Sequence, residues 1–186
     1  MPHDQDTPRV ALYWDFENLH AGLVEARSGE GHYARPDVRF RLQEPLVDVA
    51  AVTAAAAAQG PLAIHRAYCN WQFFSRYRDA LMQAGIDLVQ MFPPGGAAKN
   101  GADIRLSLDA MEDLARFPHI RTVVVVGGDS DFLPLAQKIH AAGRRLVGVG
   151  TRPNTNRHWA SSCDAFLWYE DLAGDGTPAA PEAPAC

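Results

Sequence analysis

Residues Val123 to Val126 are four consecutive valines, and Gly127, Gly128 and Asp129 follow them at once. β-Branched side chains favour extended backbone, on which neighbouring residues point to opposite faces. An unbroken apolar run therefore needs both faces of its strand covered, which is the condition inside a parallel sheet with helices on either side. The rest of the chain repeats the pattern. The apolar runs RVALYWD (Arg9 to Asp15), PLAIHRAYC, IDLVQMF, RTVVVV and RRLVGVG alternate with stretches of helical character. The expected architecture is a three-layer α/β/α sandwich around a mainly parallel sheet.

The helical stretches are marked by their punctuation. One is expected around Asn18 to Ala26. A second lies in EPLVDVAAVTAAAAAQG, with Pro45 at its first turn and Gly60 beyond its end. FFSRYRDALMQAG stops at Gly85. DIRLSLDAMEDLARF places Ile104, Leu108, Met111, Leu114 and Ala115 at helical spacing and is followed by Pro118. FLPLAQKIHAAG follows the valine strand; a short helix near Asn156 to Ser162 and an edge strand AFLWY complete the set. The segment Arg27 to Leu42 has no period and reads as an excursion, and PPGGAAKNGA as an exposed loop. The expected organisation is a flexible leader over 1–8, one domain over 9–172, and a disordered acidic Pro/Ala-rich tail over 173–186.

Composition narrows the compartment and the partners. With 47% hydrophobic residues and no apolar run approaching the ~20 residues of a membrane span, no membrane association is expected. The N-terminus lacks the basic flank and apolar core of a secretory signal, which points to the cytoplasm. Cys69, Cys163 and Cys186 show no C-x-x-C spacing, so reduced thiols are expected rather than a disulfide framework or a zinc site. The net charge of −5 is concentrated at the C-terminal end: up to Tyr169 there are 17 basic against 18 acidic residues. An anionic substrate is therefore compatible with the body of the chain.

In an open parallel sheet the ligand crevice lies beyond the carboxyl ends of the strands. Asp15 ends the first strand there, Asp129 and Asp131 follow the valine strand, and Asp103 opens the helix after the third. Four carboxylates gathered at one edge repel unless some are protonated or a cation lies between them. Oxygen donors without a competing His or Cys cluster suit Mg²⁺ or Mn²⁺, and such a cation acts on phosphate, which makes phosphodiester hydrolysis the natural reaction. The two glycines read as room for a metal or substrate to approach.

YWDFENLH, KNGADIRLSLDAM and VVVVGGDSDFLPLAQKIHAAGRRLVGVG resemble the three signature blocks of the NYN domain, a branch of the PIN-like nucleases, and in particular its bacterial LabA-like members. The resemblance spans Val10 to Tyr169. It implies a PIN-like fold and metal-dependent ribonuclease activity on single-stranded or structured RNA. Asp15, Asp103, Asp129 and Asp131 match the acids of the family, and Asn18 the asparagine after the first of them. Gly127 stands where many relatives carry serine. Asp109 matches a recurrent acid too, but six residues along an ideal helix leave it about 120° away from Asp103, which suits a supporting role. A non-catalytic RNA- or protein-binding domain is the alternative, and a homo-oligomer is compatible with either.

Other residues carry bland and functional readings side by side. Ser130 or Asp129 can cap the helix that follows, Asn18 can tie its own turn, and Glu17 can pair with an arginine. Lys99, Asn100 and Arg105 are candidates for contacting the phosphate backbone, as are Arg152, Arg157 and His158. Trp14 is read as core, with Trp71, Phe73 and Phe74 open to either packing or base stacking. A phosphatase of the haloacid dehalogenase type is disfavoured, since DFENL departs from D-x-D-x-[TV]. A dinucleotide site is disfavoured because no glycines follow the first strand.

Overall fold

The computed structural model describes residues 7–92 and 101–174. Most of the expected leader, nearly all of the PPGGAAKNGA loop with Lys99 and Asn100, and the expected tail from residue 175 onward lie outside the described residues. Six parallel strands form one sheet in the order β3-β2-β1-β4-β5-β6. They are β1 Arg9–Asp15, β2 Leu62–Cys69, β3 Asp87–Gln90, β4 Ile120–Val126, β5 Arg145–Gly150 and β6 Ala165–Trp168. The helices are α1 Phe16–Ser28, α2 Pro36–Arg39, α3 Val49–Ala57, α4 Arg78–Gln83, α5 Gly101–Arg116, α6 Leu133–Ala141, α7 Arg157–Ser162 and α8 Tyr169–Leu172.

The alternation of side chains along each strand builds two cores. Val10, Leu12 and Trp14 of β1 join Val124 and Val126 of β4 under α1, α3, α4 and α8. Ala11 and Tyr13 join Val123 and Val125 under α5, α6 and α7. All four valines are fully buried, each worth roughly 2 kcal/mol of transfer free energy. A polar residue at any of them would face a helix on one side or the other. No helix among the described residues is long and apolar enough to cross a membrane.

Two helices start differently from the sequence expectation. α3 begins at Val49, where the Asp48 side chain accepts from the Ala51 N–H, so Pro45 stands ahead of the helix rather than in its first turn. Ahead of α4, residues Trp71–Phe73 and Ser75–Tyr77 form two 3-10 turns, and Gly85 at φ 62° stops the helix. The excursion has a structural task. Gln43, the residue directly after it, donates to the carbonyls of Val38, Arg39 and Arg41 and presents Oε1 to His20 Nε2 at 3.0 Å. With Gln43 accepting there, His20 is protonated on Nε2, and Tyr77 OH donates to its bare Nδ1 at 3.0 Å. Tyr77 oxygen in turn accepts from the N–H groups of Leu46 and Val47. Every member of this buried network is satisfied, and it clamps residues 38–47 onto α1.

Candidate metal centre

The strand order reverses between β1 and β4, the place where an open α/β sheet leaves a crevice above its carboxyl edge. Asp15 ends β1 and caps α1 by accepting from the Asn18 N–H at 3.2 Å. Asn18 returns the favour across the crevice: its Oδ1 accepts from the Gly128 N–H at 2.9 Å. On the other side the Gly128 carbonyl accepts from the Asn156 N–H at 2.8 Å. The exits of β1 and β4 and the segment before α7 are thereby held together.

The glycines serve this packing and not an approaching ligand. A Cβ on Gly127 would lie 2.8 Å from the Phe132 ring, and one on Gly128 would meet the Asn154 carbonyl at 2.9 Å. The space expected to admit a metal or substrate is filled by the protein itself. Gly127 is also not a free exchange for serine here, because the Phe132 ring occupies the room a side chain would need.

Beyond Gly128 the chain enters a 3-10 turn, Ser130–Phe132, capped by Asp129, whose Oδ1 accepts from the Asp131 N–H at 3.2 Å. Capping uses one oxygen of Asp129, and a carboxylate has capacity to spare. α5 begins beside this turn with Asp103 in its first turn. One carboxylate oxygen each of Asp103, Asp129 and Asp131 lie within 4.8 Å of one another. Burial falls along the series, from Asp103 at 7% exposure to a solvent-facing Asp131. Asp15, 6% exposed, joins the group from beneath through its hydrogen bond with Asp103.

Burial, that hydrogen bond and repulsion from Asp103 push the Asp15 carboxyl well above the usual carboxylate range. Asp103 is raised as well, by burial first and then by the charges of Asp129 and Asp131, against a lowering from Asp15. The buried pair thus favours sharing a proton. Among the described residues no basic side chain forms an ion pair with Asp103 or Asp129. The helix N-termini of α1 and α5 lie close by and favour negative charge. A crowded arrangement of hard oxygen donors fits a divalent cation.

The remaining candidates fall elsewhere. Asp109 accepts from Tyr68 OH at 2.8 Å and from Arg105 Nε at 2.9 Å, with Arg66 at 3.7 Å, so it does not point into the cluster. Arg105 is half exposed while holding Asp109. Ser130 lies in the capped turn. Glu17 pairs with Arg39 at 2.7 Å and accepts from Tyr33 OH. Arg152 is tied to Glu170 and Asp171. Trp14 and Phe74 are buried, and Trp71 packs on Phe16 while its Nε1 donates to the Val89 carbonyl.

α5 forms where the apolar spacing places a helix, but not all of those apolar residues are buried. Its buried residues are Asp103, Leu106, Ala110, Asp113 and Leu114, while Ile104 and Leu108 are 60% and 64% exposed. The residue that sequence reasoning missed is Asp113. It accepts from Tyr13 OH at 2.8 Å and from Arg66 at 3.0 Å beneath the sheet. Its spacing of ten from Asp103, with Leu106 and Ala110 between them, was the available signal. Two cavities flank these elements. One, of about 370 Å³, lies between α1 and the excursion. The other, of about 630 Å³, borders the acid cluster between α5 and α6.

Residues 9–170 match the family model described as NYN domain. Over 107 residues, 58% of the chain, the sequence is 32% identical to an uncharacterized protein of Methanocaldococcus jannaschii. The aligned stretch covers 41% of that relative, so the chain spans less than half of its length. A solved structure of a protein of unknown function from Vibrio parahaemolyticus superposes with a TM-score of 0.66, covering 92% of this chain and 98% of the other. At 19% identity that likeness concerns the fold alone.

Proposed function

The chain belongs to the NYN domain family of the PIN-like superfamily, and on that premise we propose that it is a metal-dependent ribonuclease that hydrolyses RNA phosphodiester bonds. NYN domains generally bind RNA and are typically nucleases. The observation that carries the reading is the convergence of Asp103, Asp129 and Asp131 at the switch point of the sheet.

Asp103, Asp129 and Asp131 would hold Mg²⁺ or Mn²⁺, with Asp15 as the fourth acid behind them. What the bound cation supplies is polarisation of a phosphoryl oxygen and a water acidic enough to attack at neutral pH. The protein's own contribution is placement. Asp15 holds Asp103 in position through their hydrogen bond, Asn18 fixes Gly128 and with it the start of the Asp129 turn, and Ser130 belongs to the same turn. Asp109 orients Arg105, whose exposed guanidinium would contact the phosphate backbone together with Lys99 and Asn100.

The test is cleavage of labelled single-stranded RNA with Mn²⁺ or with a chelator, for wild type and for Asp15→Asn and Asp129→Asn. Cleavage that depends on Mn²⁺ and is lost in both variants supports the reading; equal cutting by all three defeats it. Calorimetric titration with Mn²⁺ separates a binding domain from an enzyme, because a domain that only holds RNA has no need of the cation.

A further inference from the structure

The cavity beside the acid cluster has a floor that the fold itself does not use. Ile104 and Leu108 lie one turn apart on α5, off the buried face, and with Leu133 and Pro134 they form an apolar shelf. The same cavity is bounded by Asp103 and Asp131, and its rim carries the hydroxyls of Ser107 and Ser130. With a divalent cation held by those carboxylates, as the proposed function has it, exposed apolar side chains beside them suit an occupant that is apolar on one face and anionic at one end.

We propose that this shelf seats one unpaired nucleobase of the RNA strand, the base one sugar away from the phosphate engaged at the acids. The inference rests on the ribonuclease reading and adds to it where the neighbouring base goes. A nucleotide has the required shape: a flat ring that can lie on Ile104 and Leu108, joined through its sugar to a phosphate. A base within an A-form helix is stacked on both faces and closed to such a shelf, so the strand must be single-stranded or looped at this point. Serine hydroxyls both donate and accept, so the Ser107 and Ser130 side chains of this cavity can adapt to any of the four bases. A second copy of the chain is a poorer occupant. A stable interface takes about 800 Å² from each partner, and four side chains supply a small fraction of that.

Ile104 and Leu108 lie outside both cores, so Ile104→Ser and Leu108→Ser leave the fold intact. The experiment follows the methyl resonances of Ile104 and Leu108 during titration of the Asp129→Asn variant, in Mg²⁺, with a short single-stranded RNA and with the same RNA made abasic at each position in turn. The expected result is that the methyls shift with intact RNA, that one abasic position abolishes the shift, and that the double serine substitution weakens binding three- to tenfold, at or below what an aromatic platform gives. At that abasic position the serine substitutions should cost nothing further. Unmoved methyls, or equal weakening for intact and abasic RNA, would overturn the seat. Dimerisation in sedimentation that Leu108→Ser abolishes would overturn it as well, in favour of a second copy. Wild-type RNA cleavage with Mn²⁺, measured in parallel, reports on the ribonuclease reading separately, since it can persist without the seat.

Discussion

Helix α5 carries acids at both of its ends, and the two ends treat them in opposite ways. Toward its C-terminal half, Asp109 and Asp113 each meet cations and hydroxyls: Arg66 and Arg105, Tyr68 and Tyr13. In its first turn, Asp103 meets Asp15, Asp129 and Asp131. Where a buried carboxylate serves the fold, the sequence supplies its counter-charges from within the chain. Where three crowd together against Asp15, no described basic side chain forms an ion pair with Asp103 or Asp129, and on the proposed function a cation would take that place. The buried His20 network makes the same point for neutral groups, since all its donors and acceptors meet inside the protein.

Substitution at the two ends should separate activity from stability. The largest effect is expected at the crowded end: Asp103→Asn should lower RNA cleavage at least about a hundredfold, beyond the loss usual for groups that only support metal ligands. Asp109→Asn should cost less than about tenfold by the same principle, and the ratio of kcat/KM values checks both. Comparable losses would erase the distinction between the ends.

Stability should reverse the order. Asp113→Ala strands the Arg66 guanidinium and the Tyr13 hydroxyl, a loss of about 3 kcal/mol for a broken, largely buried pair, read from urea denaturation. A cost under 1 kcal/mol would show that Arg66 finds water or Asp109 without difficulty.

The neutral network has a pH signature of its own. Burial lowers the His20 pKa from 6.5 to about 4, against a small upward pull from Gln43. Since the folded value lies below the unfolded one, the associated stability is complete above pH 6.5, declines as pH falls, and is gone below pH 4. Its size is about 3 kcal/mol from the shift. The slope of stability against pH in that window should flatten in His20→Gln, and an unchanged slope would mean that other groups set it.

The smallest effect has the opposite sign. In chelator, Asp103→Asn removes one of several repelling charges and should raise stability by about 1 kcal/mol, while erasing the rise in Tm expected for wild type with Mn²⁺. A destabilised variant in chelator would place Asp103 with the structural acids.

The sheet was legible because its evidence is local: four valines need cover on both sides wherever they lie, and the acids that follow them fall at a strand end by position alone. The packing face of α5 was not, because the apolar residues at helical spacing include Ile104 and Leu108, which are exposed. The true buried stripe includes Asp103 and Asp113, whose burial depends on Asp15 and Arg66, 88 and 47 positions away. The role of the excursion was hidden for a like reason, since Gln43 makes sense only once His20 and Tyr77 are beside it. The glycines misled because their missing side chains say that something comes close and not what; here it is Phe132 and the Asn154 carbonyl.

The strand order has a consequence in time as well as in space. β1 is made first, yet it acquires its neighbour β4 only after more than a hundred further residues, and Asp129 and Asp131 come later still. A growing chain therefore carries Asp15 through 88 further residues before Asp103 is made, and the two together through 26 more before Asp129 follows. If the site cuts RNA, the protein is harmless to the message that encodes it until the segment following β4 has been translated and folded.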